Sequence, residues 1–108
     1  MNKKPTLRSL SLALALLAVP AIGFAADAKE NWAQHCAKCH GADGAGQTTM
    51  GKKLKLKDYT DAKVQAGFKD EDLLKVTLEG KEKMPAFKEK ISAAEAKALV
   101  GVIRSFKK

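Results

Sequence analysis

The stretch "HCAKCHGADGAG", His35–Gly46, decides how this chain is read. It packs two cysteines, two histidines and the glycines Gly41, Gly44 and Gly46 into twelve positions. Cys36 and Cys39 are the only cysteines of the 108-residue chain, and His40 follows the second directly. Four chemistries use these residues: a disulfide, a redox dithiol, a zinc site and covalent haem.

The dithiol reading is weak because such Cys-x-x-Cys pairs sit where a strand enters a helix of a βαβ unit. No stretch here alternates between apolar and polar residues as a strand does. A disulfide between Cys36 and Cys39 closes a tiny loop and constrains little of the unfolded chain. Zinc wants four ligands arriving from two separated places. His35, Cys36, Cys39 and His40 are contiguous, and neighbours on a helix project about 100° apart. Haem suits each residue. Cys-x-x-Cys-His is the attachment signature of c-type haem. A spacing of three along a helical turn brings both thiols to one side, facing the two vinyl groups. His40 then swings its imidazole beneath the metal, where a neutral ring nitrogen binds iron. His35 reads as facing solvent or the haem edge, and Trp32 as core.

Outward from the motif, the N-terminus indicates the compartment. Lys3, Lys4 and Arg8 precede an apolar run, Leu10–Phe24, and the small residues Gly23, Ala25, Ala26 and Ala28 follow. That is the three-part pattern of a secretory signal peptide. The run is short of the ~20 residues of a bilayer span. Residues 1–25 therefore read as a cleaved signal peptide, with cleavage after Ala28 as the second choice, and residues 26–108 as one domain. No stable membrane anchor is expected, and the location implied is the periplasm. Loss of the three N-terminal cations lowers the formal charge from +8 to +5. A domain this small buries little apolar surface and needs a staple. A large apolar cofactor serves by becoming part of the core.

Helix signals dominate the rest, and an all-α fold is expected. About Asp27–Cys39 reads as a helix with Trp32, Cys36 and Cys39 on one face. A glycine- and lysine-rich loop runs from Gly41 to about Asp58, and a short helix spans about Thr60–Ala66. Asp70 reads as the N-cap of a helix ending before Gly80. "GKEKMPAFKEK", Gly80–Lys90, reads as a loop because Pro85 keeps Met84 out of helical geometry. Ser92 and Glu95 form a capping box opening the last helix, which runs to about Lys107. Its apolar face is Ala96, Leu99, Val100 and Ile103, with Phe106 beyond them.

The mature chain resembles a small bacterial class I cytochrome c. The resemblance rests on Trp32 one turn before "CAKCHG", on "GADGAG", on "LEGKEKMPAF" and on "SAAEAKALVGVIRSF". It implies a small cytochrome c fold, its terminal helices crossing and short helices wrapping one covalently bound haem c. It also implies a methionine as second axial ligand, on a loop followed by Pro-Ala-Phe. That maps onto Met84, with Pro85, Ala86 and Phe87. Met50 is the competing sulfur, but it has no turn residue to hold it, whereas Pro85 stiffens the chain after Met84. The resemblance implies Cys36 and Cys39 as attachment residues and His40 and Met84 as iron ligands.

Two departures stand out. The family's aromatic residue in the last helix is replaced by Val102, beside Gly101, whose lack of a side chain would permit close helix approach. Trp32 then supplies bulk at the crossing. The proline that commonly comes after the attachment motif is missing, so a backbone carbonyl within Gln47–Leu56 is expected to orient His40.

The function implied is a soluble, monomeric electron carrier rather than an enzyme, because His/Met ligation leaves iron no open position. Lys81, Lys83, Lys88 and Lys90, with the cluster Lys52–Lys57, would steer it to acidic redox partners, exported or membrane-bound. No motif reads nucleic acid. The alternatives are a haem-c enzyme, a peroxidase or small-oxide reductase from which Met84 departs, and a haem-bearing sensor or subunit of a respiratory complex.

Overall fold

A computed structural model describes residues 27–108. The signal-peptide reading and the cleavage point after Ala25 fall outside the described residues. Among those described the fold is helical, and extended pairing is confined to one isolated bridge between Lys81 and Met84.

The N-terminal helical stretch is three pieces in continuity: α1 (Ala28–Asn31), a π-helical turn (Trp32–Cys36) and α2 (Ala37–His40). The Asp27 carboxylate opens it by accepting from the Lys29 N–H at 2.8 Å. In the π-turn the Ala37 N–H reaches back five residues to the Trp32 carbonyl. Such a turn holds one residue more than an α-turn, which rotates the next helical segment by about 100°. Trp32 and Cys36 are nevertheless both buried in one core, and Cys36 also lines a cleft together with Cys39.

α3 (Thr49–Leu54) lies in the segment read as loop. Thr48 caps it, its hydroxyl accepting from the Gly51 N–H at 2.8 Å. The helix ends at Lys55, a left-handed residue. α4 (Ala62–Ala66) opens on Asp61, shortening the expected helix at its start. α5 (Asp70–Glu79) begins one residue earlier than expected. Asp70 is its first helical residue and not its cap, because its carboxylate is engaged by Arg104 at 2.8 Å. α6 (Ala93–Ser105) opens on the expected capping box: Glu95 N–H donates to Ser92 Oγ at 3.0 Å and Ser92 N–H to Glu95 Oε1 at 2.8 Å.

α6 packs against α1 and α5. Its buried face, Ala96, Leu99, Val100 and Ile103, meets Trp32, Leu73, Phe87 and Ile91 in one core. Asn31, buried on α1, donates to Glu95 Oε2 at 3.2 Å and ties the first helix to the last. At the opposite, C-terminal end of α6 the aromatic residue is its cap, Phe106, whose ring lies 5.0 Å from Trp32. Gly101 plays no part in close packing among the described residues: a Cβ there would meet none of them within 4 Å. The glycine that matters is Gly44, where φ is +73° and a Cβ would run into the Phe106 ring.

Candidate functional site

Local chemistry fixes the attachment motif before any cofactor is considered. Gly41, at φ +88°, ends α2 just after His40. Three successive carbonyls at this helix end are taken. Thr48 Oγ1 donates to the Cys39 carbonyl at 2.6 Å, and Gly46 N–H to that of His40 at 2.8 Å. The Trp32 indole N–H donates to that of Gly41 at 2.9 Å. Gly51 is required where α3 comes down on this end, since a Cβ would lie 2.6 Å from the Cys39 carbonyl oxygen.

His35, Cys36, Cys39 and His40 face a cleft of about 810 Å³. Leu54, the last residue of the unexpected α3, and Leu56 beyond it supply an apolar wall, and Met84, Pro85 and Phe87 line it from the loop after α5. The four site residues expected from sequence are thus brought to one cavity. Met50 is not among its lining residues and is exposed. Thr48, Leu54, Leu56 and Tyr59 were missed; a Thr N-cap pattern before Gly51 was the available signal for the first of them.

Met84 is held by reciprocal hydrogen bonds with Lys81, at 3.0 and 2.9 Å, that close a two-residue turn. Glu82 in that turn is left-handed, at φ 51°. The loop is sealed to α5 by Phe87 N–H donating to the Thr77 carbonyl at 3.2 Å and Lys88 N–H to that of Leu78 at 3.1 Å.

Electrostatics separates the chemistries. Burial pushes the Cys36 thiol up to about 11, so it stays protonated at neutral pH. A catalytic dithiol needs the opposite shift, toward thiolate. Among the described residues no three His, Cys, Asp or Glu side chains converge as a metal-binding group. Burial lowers the His40 value and favours the neutral imidazole, the form that ligates iron. His40 Nδ1 is buried without a hydrogen-bond partner among the described residues, so the expected carbonyl from Gln47–Leu56 does not reach it. Within that segment the carbonyls of Thr48, Gly51 and Lys52 accept from the N–H groups of Lys52, Leu56 and Lys55 at 2.9, 2.9 and 3.2 Å. The imidazole instead lies nearly parallel to the Tyr59 ring, with centroids 5.3 Å apart and a 16° interplanar angle. Trp32 flanks it at 5.7 Å.

Six lysines line the cleft, Lys38, Lys53, Lys55, Lys81, Lys83 and Lys90, against one acid, Glu82. Lys88, Lys52 and Lys57, expected with them, do not. An apolar cleft of this volume with two thiols, a neutral imidazole and a thioether fits an iron porphyrin.

Relatives agree with that fit. Residues 23–101 match the family described as "Cytochrome C oxidase, cbb3-type, subunit III". The solved structure of the KustC0563 c-type cytochrome is 42% identical, covering 77% of this chain and 100% of that one, with a TM-score of 0.72. A tyrosine-to-phenylalanine mutant of the same protein is 41% identical over 76% of this chain and 100% of that one, with a TM-score of 0.69. Among curated proteins none matches the chain. The helical fold, the cleft and these matches place the chain in the family described as cytochrome c oxidase, cbb3-type, subunit III, as a small c-type cytochrome carrying covalent haem c for electron transfer.

Proposed function

We propose that the protein is an exported, soluble one-electron carrier whose single haem c is bonded to Cys36 and Cys39 and ligated by His40 and Met84. The observation that carries this reading is the convergence of those four side chains, from the N-terminal helix and the loop after α5, on one cleft. Bound there, haem c supplies a one-electron iron couple. Cys36 and Cys39 anchor it through thioether bonds, and His40 offers a neutral nitrogen. Met84 offers a soft sulfur that favours the reduced metal and raises the potential. Its two-residue turn keeps that weak ligand in place with little entropy left to lose. With His40 and Met84 both bound to it, the iron would keep no position for peroxide or oxygen.

The lysine rim supports docking to acidic redox partners, exported or membrane-bound, through long-range attraction. Periplasmic location is supported by the three-part N-terminus. Asp27 caps α1, so cleavage after Ala25 keeps the cap, whereas cleavage after Ala28 removes it. Among the described residues no helix is long and apolar enough to cross a membrane. The family's description favours one second reading, a haem-bearing subunit of a terminal oxidase. Copurification with an oxidase separates the two.

The test is the visible spectrum of the exported ferric protein beside Met84→Ala. Wild type should show the sulfur-to-iron charge-transfer band. Met84→Ala should lose it, fall in potential and bind carbon monoxide when reduced. An unchanged spectrum in the variant removes Met84 from the site.

A further inference from the structure

His40 sits in a setting unusual for a metal ligand. A ligating histidine donates its second ring N–H to a carboxylate, a carbonyl or water, and that bond sets both the plane of the ring and its basicity. Here Nδ1 is buried and has no hydrogen-bond partner among the described residues. A buried atom has no route to the cleft that His40 lines, so Nε2 is the nitrogen left for the metal. The torsion that turns an imidazole about its Cβ–Cγ bond is broad and soft. Something else must hold it.

Two aromatic rings are in place to do so, and each is itself anchored. Tyr59 stacks on the imidazole at 5.3 Å and 16°. Its N–H donates to the Gly44 carbonyl at 2.9 Å, and its own carbonyl accepts from Gln65 Nε2 at 2.7 Å. Gln65 is buried and donates also to the Ile103 carbonyl of α6 at 2.8 Å. Phe68 meets the Tyr59 ring edge-on at 6.0 Å and 74°. Trp32 stands at 5.7 Å and 43° from His40, pinned by its indole hydrogen bond to Gly41 and by Phe106. Centroid separations of this size are those of favourable aromatic pairs.

We infer that Tyr59 is a positioning residue for His40: with Trp32 it orients the imidazole by ring packing, in place of a hydrogen bond at Nδ1. The inference rests on the proposed ligation of His40. Its electronic consequence comes from the same geometry. An Nδ1–H without an acceptor keeps its proton fully, so the imidazole donates less to iron and the oxidised metal is less favoured. The packing therefore sets the ligand plane and holds the potential up. Opening it to water supplies the missing acceptor and lowers the potential.

The test compares the mature haem-loaded protein with Tyr59→Phe, which keeps the ring, and Tyr59→Leu, which removes it. The readouts are the ferric electron paramagnetic resonance g-values, the hyperfine-shifted haem methyl resonances and the midpoint potential. Both magnetic readouts report the orientation of the axial imidazole. Tyr59→Phe should match wild type in all three. Tyr59→Leu should redistribute the methyl shifts, broaden the low-field g feature and lower the potential. A Tyr59→Leu protein that melts earlier with shifts and potential unmoved would overturn the inference, as would Tyr59→Phe behaving like Tyr59→Leu. A further measurement needs no variant: the His40 Nδ1–H resonance of the reduced wild-type protein should lie at the position of a proton without an acceptor. A strongly downfield, hydrogen-bonded position overturns the inference. A wild-type ferric signal lacking low-spin imidazole ligation overturns the ligand assignment itself, a result distinguishable from any outcome confined to the Tyr59 variants.

Discussion

At the scale of single residues, the site depends on positions where the backbone tolerates one side chain or none. Gly80 is the sharpest case. It ends α5 at φ +79°, and a Cβ there would stand 2.6 Å from the Met84 carbonyl oxygen and 2.8 Å from the Ala86 nitrogen. Both neighbours are backbone, so neither gives way cheaply. Gly80→Ala should therefore destabilise the protein by about 1–3 kcal/mol and weaken the sulfur-to-iron band. Chemical unfolding and the ferric spectrum check the two effects separately. A full-strength band with lost stability would mean that the turn moves without moving Met84. Gly80 was legible from sequence only as a helix stop. Its closeness to the Met84 carbonyl is a property of the folded loop.

At the scale of elements, local capping was readable and local strain was not. The Ser92–Glu95 box is present as its spacing indicates, because a capping box needs only residues within one turn. α3 was hidden because Gly51 and the surrounding lysines look like loop composition. Gly51 is there for contact with α2, which no local rule reports. Lys55 ends α3 in left-handed geometry, at φ 57° and ψ 48°, where glycine is the usual choice. Lys55→Gly should relieve that strain and stabilise the fold by about 1 kcal/mol. Denaturant unfolding of the haem-loaded variant reads this directly, and a loss of stability would show that the Lys55 side chain contributes more than its backbone costs. The π-turn belongs to the same class. Single-sequence periodicity assumes a regular helix, so it does not report the inserted residue, although Trp32 and Cys36 still share one core.

At the scale of the whole molecule, one side chain joins three elements. Arg104 on α6 donates from Nε to Asp70 at 2.8 Å and from Nη1 to the Gln65 carbonyl at 2.7 Å and to Gln65 Oε1 at 3.0 Å. Its Nη2 donates to the Phe68 carbonyl at 2.7 Å. The ion pair is the weaker part of this set, since the Asp70 side chain is 70% exposed and solvent screens it. The bonds to partly buried carbonyls are the stronger part. Arg104→Ala should cost about 2–3 kcal/mol, against less than about 1 kcal/mol for Asp70→Asn. Thermal unfolding of the two variants compares them, and equal losses would put the weight on the charge pair. Arg104 stands in the last turn of α6, where a cation suits the helix dipole, and no local rule reports these partners.

What the sequence determined alone was the chemistry that is local along the chain. Two thiols and an imidazole in five residues, a capping box, helix stops at Gly41 and Gly80 and a proline-stiffened methionine each act over a turn or less. Tertiary structure alone decided which distant groups meet. It faced Met84 across a cleft from the cysteines, left Met50 outside, and set Tyr59 rather than a carbonyl against His40. The physical reason is that backbone hydrogen bonds and steric limits are written in short range. Burial, ring stacking and the fate of an unpaired nitrogen depend on how separated segments pack.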